Sequence, residues 1–228
     1  MTFQRILYWM WLLYLLRNSF LGIGVLVFQS VLFPRNRVVY GSVDVHDHVS
    51  DLLHQLDLLR DTLNNHNNTF GLPYTGLLDR RGFDTLHERL TRELKRTFPH
   101  VSPIHAMNEV YVSADCGDSR HIDGLFGVYP FCSVYRVVLS LTPNERISTV
   151  IPNANFQTTL TTGRFVGFDL HRDIHFVECD RTRLRLEPRV LLKFHYLVYP
   201  NKWFFFLAYP LQWMTLKTKH IQNIPMFI

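Results

Sequence analysis

The sequence is poor in cysteine, with three in 228 residues. Cys116, Cys132 and Cys179 form no C-x-x-C pair, so their spacing argues against a zinc site. An odd number of cysteines also argues against a fold held together by disulfides, and it leaves the cellular compartment open. No internal repeat or low-complexity segment is evident either.

Acidic residues are missing from both ends of the chain. Residues 1–33 carry Arg5 and Arg17 and no acid, and residues 201–228 carry three lysines and no acid. Residues 34–200 hold 19 basic and 19 acidic side chains, so the net charge of +5 lies entirely in the ends. A nucleic-acid-binding protein would place its excess charge on the folded body, and we therefore expect no nucleic-acid partner.

Strongly polar side chains are scarce from residue 6 to residue 33, which predicts a membrane anchor. The segment is long enough to cross a bilayer as a helix. Its sixteen Leu, Ile, Val and Phe residues outweigh the cost of about 2.5–3.5 kcal/mol for Arg17 at mid-bilayer. Alanine is absent before Ala106, so a cleaved signal peptide would lack an A-x-A site. We expect a single-pass membrane protein, with a signal peptide and a buried or re-entrant helix as alternatives.

The C-terminal segment, residues 201–228, is aromatic but short. The run from Trp203 to Trp213 is too short to span a bilayer, and Pro210 interrupts it. Two interpretations remain open. The segment lies in the membrane interface beside the anchor, or it packs as a hydrophobic cover on the domain or on a partner.

The body between these ends divides near Pro99. Before it, leucines at helical spacing predict one helix over about 50–63 and another that begins at Asp84. After Pro103, short β-rich runs alternate with turn residues. The predicted strands are Glu109–Ser113, Ser133–Leu141, Ser148–Ile151, Thr158–Thr161, Arg164–Asp169, Ile174–Val177 and Arg189–Tyr199. This order predicts an α+β fold with an antiparallel sandwich or barrel in its second half.

Three residues of the body have the pattern of a metal site. His121 and Asp123 stand at i and i+2, so on a strand they point to the same face. His175, from a distant strand, would complete a set of two histidines and one carboxylate. That set suits non-haem Fe(II) and leaves positions open on the metal for a co-substrate and O₂. The alternative is that these are ordinary surface or core histidines.

The predicted strand 189–199 separates polar from apolar side chains. Arg189, Lys193 and His195 share one face, and the other face is almost entirely apolar. We expect the first face to line a polar site and the second to pack on a core or helix layer. In the strand Ser133–Leu141, Tyr135 and Arg136 are candidates for contact with a co-substrate, with packing as the alternative.

The order HxD, about fifty residues, His, then a basic residue resembles the Fe(II)/2-oxoglutarate-dependent oxygenase family, with a prolyl-hydroxylase-like pattern. The resemblance implies a double-stranded β-helix, or jelly roll, over residues 105–200. The predicted helices of residues 34–104 would support that core. The expected organisation is an anchor at 1–33, this helical region, the oxygenase core, and the aromatic tail at 201–228.

The resemblance also implies roles for individual residues. His121, Asp123 and His175 would bind Fe(II), and Arg189 would pair with the distal carboxylate of the co-substrate 2-oxoglutarate. The spacing of 14 from His175 to Arg189 is long for the family, which leaves Lys193 as a rival partner. Tyr135 is a further candidate for co-substrate contact.

A second HxD triplet, His171-Arg172-Asp173, offers a competing assignment. The only histidine at a suitable distance after it is His220, which no basic residue follows. We therefore reject it as the metal triad. The sequence predicts a membrane-anchored, Fe(II)- and 2-oxoglutarate-dependent dioxygenase that uses O₂ to hydroxylate a protein side chain or a lipid. The alternative is a catalytically inactive, membrane-bound structural or interaction subunit on the same fold.

Overall fold

A computed structural model gives the fold of most of the body. Besides isolated positions, it describes residues 37–45, 69–73, 80–104, 108–113, 120–123, 132–144, 146–179 and 189–199. The first predicted helix, over 50–63, and the aromatic tail at 201–228 lie almost wholly outside the described residues.

The predicted membrane localisation is not supported. Among the described residues, no helix has both the length and the apolar character needed to cross a bilayer. This finding contradicts the assignment as a single-pass membrane protein, although most of residues 1–33 lie outside the described part of the chain.

The second predicted helix is present. Helix α1 (Arg80–Leu94) begins four residues before the predicted start at Asp84. Leu86, Leu90 and Leu94 are almost completely buried, as their spacing of four residues requires for a single stripe. The helix therefore packs on the sheet through this stripe.

Ten strands form within the described residues. They are β1 (Val39–Ser42), β2 (Thr69–Pro73), β3 (His100–Pro103), β4 (Glu109–Ser113), β5 (Ser133–Ser140), β6 (Ile147–Ile151), β7 (Phe156–Thr159), β8 (Arg164–Asp169), β9 (Phe176–Cys179) and β10 (Arg189–Tyr199). The predicted bounds of β4, β8 and β10 match those observed. The region 34–104, predicted as helical, also contributes β1, β2 and β3.

The strands form two antiparallel sheets. The larger sheet has the order β1-β8-β5-β10-β4-β2, and β3 pairs with the C-terminal half of β10. The smaller sheet has the order β7-β6-β9. From β5 to β10 the chain passes repeatedly between the two sheets, as in a jelly roll. This arrangement agrees with the jelly roll that the resemblance implied.

The larger sheet buries both of its faces. One face packs on α1, where Leu90 meets Val137 and Phe194 in the main core. The other packs on the smaller sheet, where Val138 and Leu191 meet Ile151. Arg189, Lys193 and His195 alternate with the residues that face α1, so the polar face of β10 is turned toward the smaller sheet. The apolar face packs on a helix layer, as predicted.

The two cysteines that the structure describes are in different chemical states. Cys179, the last residue of β9, is disulfide-bonded, whereas Cys132 is a buried thiol. Burial and the nearby Asp169 raise the pKa of Cys132 to about 12, so the thiol stays protonated at neutral pH. An odd number of cysteines therefore did not exclude a disulfide.

Candidate metal centre

His121, Asp123 and His175 converge beside the smaller sheet. Each offers one donor atom, and these atoms lie within 4.8 Å of one another. Nε2 of His175 is 3.4 Å from Oδ2 of Asp123, and Nε2 of His121 is 3.9 Å from Oδ1 of Asp123. Donors at right angles around an ion at about 2.1 Å lie roughly 3 Å apart. The three residues are thus close to metal-binding spacing.

Backbone hydrogen bonds bring the three residues together. His121 and His175 form an antiparallel bridge, with N···O distances of 3.2 and 2.9 Å. The backbone N–H of Asp123 donates to the carbonyl of Leu170 at 3.3 Å. These contacts join two segments that are about fifty residues apart in sequence, and they place the imidazole centroids 4.5 Å apart.

The ring of His175 is held in the orientation that a metal ligand needs. Its Nδ1 lies 3.0 Å from the backbone carbonyl oxygen of Asp173. A carbonyl can only accept, so Nδ1 donates to it, and Nε2 is the ring nitrogen directed at Asp123. Phe168 packs against the other side of the ring, with centroids 4.6 Å apart. This hydrogen bond to a carbonyl is the usual second contact of a metal-binding histidine.

Arg136 compensates the charge of Asp123. Its Nη1 donates to Oδ2 of Asp123 at 2.6 Å, and its Nε donates to Nε2 of His195 at 3.0 Å. Burial by itself would raise the pKa of Asp123, but the hydrogen bond to His175 and the charges of Arg136 and the two histidines hold it well below its usual range. Asp123 is therefore a carboxylate, the form that binds a metal.

Lys193 stands next along the polar face of β10. Its Nζ is 2.9 Å from Oε1 of Glu109 and 3.6 Å from the centroid of the Tyr111 ring. Burial and the charge of Arg136 lower the pKa of Lys193, and Glu109 partly offsets them. Burial and the same cations hold the pKa of His195 well below the imidazole value, so this ring is neutral. The candidate metal centre therefore borders a basic, water-poor wall.

Arg189 lies at the far end of this wall. It is buried, opposite Ser113 of β4, and four residues before Lys193. Residues four apart on a strand are about 13 Å apart along its axis. Arg189 and Lys193, the two predicted partners of the 2-oxoglutarate carboxylate, thus lie on one face of β10 but far apart along the strand.

Tyr135 faces away from the candidate metal centre, in agreement with the packing alternative that the sequence left open. It alternates with Arg136 on β5 and faces α1, in the main core. Its hydroxyl oxygen accepts from the N–H of Val39 at 3.0 Å and lies 2.6 Å from the carbonyl of Gly167. A Cβ at Gly167 would come within 2.4 Å of the Tyr135 ring, so the glycine makes room for it. Because successive side chains on a strand point to opposite faces, Arg136 rather than Tyr135 faces the site.

The second triplet, His171-Arg172-Asp173, forms a buried turn. The Nε of Arg172 donates to Oδ2 of Asp169 at 2.8 Å, and its Nη2 donates to the hydroxyl of Ser133 at 3.1 Å. The Asp173 carboxylate accepts from the backbone N–H of Asp169 at 2.8 Å. Rejection of this triplet as the metal set agrees with the geometry, because Arg172 and Asp173 serve the turn between β8 and β9.

The sequence analysis missed the structural roles of Arg136 and of the pair Asp169 and Arg172. Arg136 is the one charged residue in the otherwise mostly apolar strand Ser133–Ser140, and such a charge in a buried strand indicates a partner or a site. Asp169 and Arg172 were not predicted to pair. Their i, i+3 spacing is common on surfaces, and only the fold shows that the pair is buried.

Comparison with known proteins gives similarity in structure only. No protein-family model matches the chain, and no curated protein matches it. Among solved structures, the chain is similar to AviO1 from Streptomyces viridochromogenes Tue57, with 14% identity and a TM-score of 0.49, over 72% of this chain and 90% of that one.

Two further similar structures are prolyl hydroxylases. The viral collagen prolyl hydroxylase vCPH of Paramecium Bursaria Chlorella virus-1, in its 2OG complex, has 10% identity and a TM-score of 0.48, over 70% of this chain and 96% of that one. The prolyl hydroxylase of Trichoplax adhaerens has 16% identity and a TM-score of 0.46, over 81% and 92%. At TM-scores below 0.5 these likenesses carry no inference about activity.

Proposed function

We propose that the chain is an Fe(II)- and 2-oxoglutarate-dependent oxygenase, with His121, Asp123 and His175 as the iron ligands. The observation that carries this proposal is the convergence of two imidazoles and one carboxylate within 4.8 Å. The set is built on an antiparallel double sheet and bordered by cations that suit a dicarboxylate.

The donor set fits a divalent iron. Two imidazoles and one carboxylate form the facial set of non-haem Fe(II) oxygenases, which leaves the remaining positions open. The carbonyl of Asp173 fixes the ring of His175, and Arg136 occupies one oxygen of Asp123 while Oδ1 stays toward His121. When bound, iron would supply O₂ activation coupled to oxidation of 2-oxoglutarate. The chain's own part is to orient the ligands, hold the co-substrate and limit water.

We assign the distal carboxylate of 2-oxoglutarate to Lys193 rather than to Arg189. Arg136 touches Asp123 and pairs with His195, two residues from Lys193, or about 7 Å along β10. Three carbons separate the two carboxylates of 2-oxoglutarate, a span of about 5–6 Å. Arg189 is six residues from His195, about 20 Å along the strand. An ammonium has three donors, so Lys193 can keep Glu109 and bind a second carboxylate.

The test is anaerobic addition of Fe(II) and then 2-oxoglutarate to the purified protein. A visible metal-to-ligand charge-transfer band is expected from the intact protein, and His121→Ala should lack it. Lys193→Met should raise the apparent Kd for 2-oxoglutarate at least tenfold, and Arg189→Met should change it less. A band of equal strength in His121→Ala would refute the ligand assignment.

A second candidate function is a catalytically inactive interaction protein on the same fold. Two observations favour it. Arg136 already neutralises Asp123, and Lys193 is already paired with Glu109. An intact protein that binds no Fe(II) under anaerobic conditions would support this candidate and exclude the first.

The prime substrate remains a prediction from the sequence, a protein side chain or a lipid. The two classes separate in one assay that measures succinate formed from 2-oxoglutarate. Addition of peptide libraries or of lipid vesicles should stimulate succinate formation above the uncoupled rate only where the substrate is present.

A further inference from the structure

We propose that Arg172 and Asp169 are positioning residues of the metal centre, acting through the turn that joins β8 to β9. The turn, residues 169–175, carries the rejected triplet and ends at His175. The inference rests on the proposed iron site, since it concerns how that site is kept in shape.

The turn is closed by its own hydrogen bonds. Oδ1 of Asp169 accepts from the backbone N–H groups of His171 and Arg172 at 3.1 and 3.2 Å. The N–H of Asp173 donates to the carbonyl of Asp169 at 3.0 Å. The carboxylate of Asp173 in turn accepts from the backbone N–H of Asp169. One carboxylate at the end of β8 thus sets the path of the next four residues.

Arg172 fastens this turn to the larger sheet. Its guanidinium bonds Asp169 and, through Nη2, the hydroxyl of Ser133 at the start of β5. The side chains of Arg172 and Asp169 are only 5% and 2% exposed. A buried ion pair is kept in one geometry because either charge alone would be strongly unfavourable there. The pair therefore locks the turn relative to β5.

All three candidate ligands are attached to the locked turn. The carbonyl of Asp173 fixes the His175 ring at Nδ1. The carbonyl of Leu170 accepts from the N–H of Asp123. His121 forms its backbone bridge with His175 itself. A shift of the turn would thus move every donor at once. Loss of contacts that hold metal ligands from outside the coordination sphere typically lowers metal affinity 10- to 100-fold.

The test measures Mn(II) binding by calorimetry on the full chain. Arg172→Met should weaken Mn(II) binding 10- to 100-fold, and Arg172→Lys, which keeps the charge, should recover part of the loss. Leu90→Ala in α1 is the matched control. It destabilises the core on the α1 face of the larger sheet and should bind Mn(II) within twofold of the intact protein while both are folded.

A spectroscopic readout separates positioning from stability. The Co(II) absorption spectrum should change in Arg172→Met and stay unchanged in Leu90→Ala. If Arg172→Met does not fold, Ser133→Ala, which removes only the hydroxyl that accepts from Arg172, carries the test with an expected loss of at least threefold in Mn(II) affinity.

The outcomes separate the two proposals. Intact protein that binds neither Mn(II) nor Co(II) refutes the metal site and this inference with it. Intact protein that binds metal while the folded Arg172→Met, or Ser133→Ala in its place, binds equally well refutes only the positioning role. A loss in Leu90→Ala as large as that in Arg172→Met would also overturn it, because stability alone would then explain the effect.

Discussion

The chain contains the triplet His-x-Asp twice, and the two copies occupy different environments. In His121-Ile122-Asp123 the histidine and aspartate side chains are 34% and 24% exposed and point at a third residue. In His171-Arg172-Asp173 all three residues are buried. The first copy lies against the smaller sheet, and the second lies in the turn beyond β8. The same His-x-Asp pattern thus gives a candidate ligand pair in one place and part of a structural turn in the other.

This difference shows what decides the role of such a triplet. An extended segment puts residues i and i+2 on one face, so both side chains of the first copy reach one point. A tight turn instead directs side chains back to backbone N–H groups, as Asp173 does with Asp169. Local backbone shape, rather than residue type, separates metal donors from turn-forming residues.

The largest expected change in stability comes from breaking the ion pair in the buried turn. Asp169→Ala leaves the guanidinium of Arg172 buried without its partner, so the free energy of unfolding should fall by about 3–5 kcal/mol. Urea denaturation measures it. Glu88→Ala, on the exposed face of α1, is the control and should change stability by less than about 0.5 kcal/mol. A loss below about 1 kcal/mol for Asp169→Ala would show that the turn does not depend on the pair.

The next prediction concerns the first triplet, His121-Ile122-Asp123, together with His175. A metal present at 100 times its Kd should stabilise the intact protein by about 2.7 kcal/mol. His175→Ala should abolish that gain because one of three donors is lost, and His54→Ala should keep it. Thermal unfolding with and without Mn(II) checks the prediction, and metal stabilisation that persists in His175→Ala would contradict it.

A smaller effect concerns the wall beside the first copy. His195 stays neutral in the folded chain because burial and Arg136 depress its pKa, whereas in the unfolded chain it takes up a proton near pH 6.5. Stability present above that pH should therefore be lost as the pH falls, by up to about 1.4 kcal/mol per pH unit. Denaturation between pH 7 and 5 should show a shallower slope in His195→Gln, and an equal slope would contradict the assignment.

The smallest effect compares the middle residues of the two triplets. Ile122 is 45% exposed, whereas Arg172 is 8% exposed. Ile122→Ser should therefore change the free energy of unfolding by less than about 0.5 kcal/mol. A loss above about 1 kcal/mol, measured by urea denaturation, would mean that the two copies are more alike than their burial indicates.

Much of the fold could be predicted because its main strands are strongly patterned. The three polar side chains Arg189, Lys193 and His195 of β10 all fall on one face of the strand, and Leu86, Leu90 and Leu94 repeat at helical spacing. The short strands β1, β2 and β3 could not be predicted, because few residues and a Gly-Leu-Pro ending in β2 carry no clear period.

The site was predictable in its donors and less so in its surroundings. The order of His121, Asp123 and His175 selects the set that converges, although metal binding itself stays a prediction. The choice between Tyr135 and Arg136 depends on which face of β5 meets α1, and β5 itself carries buried apolar residues on both faces. The role of Arg172 depends on burial, which residue type does not reveal.

The two contacts that fix the candidate ligands from behind have a consequence for tracing such centres between distant chains. Leu170 and Asp173 act through their carbonyl oxygens, which every amino acid possesses. Asp173 also closes the turn through its carboxylate, whereas the buried Leu170 contributes to ligand placement only through its backbone. Another apolar side chain could therefore replace Leu170 while the contact to Asp123 is retained, so the identity of residue 170 is a poor guide to whether a relative has kept the centre.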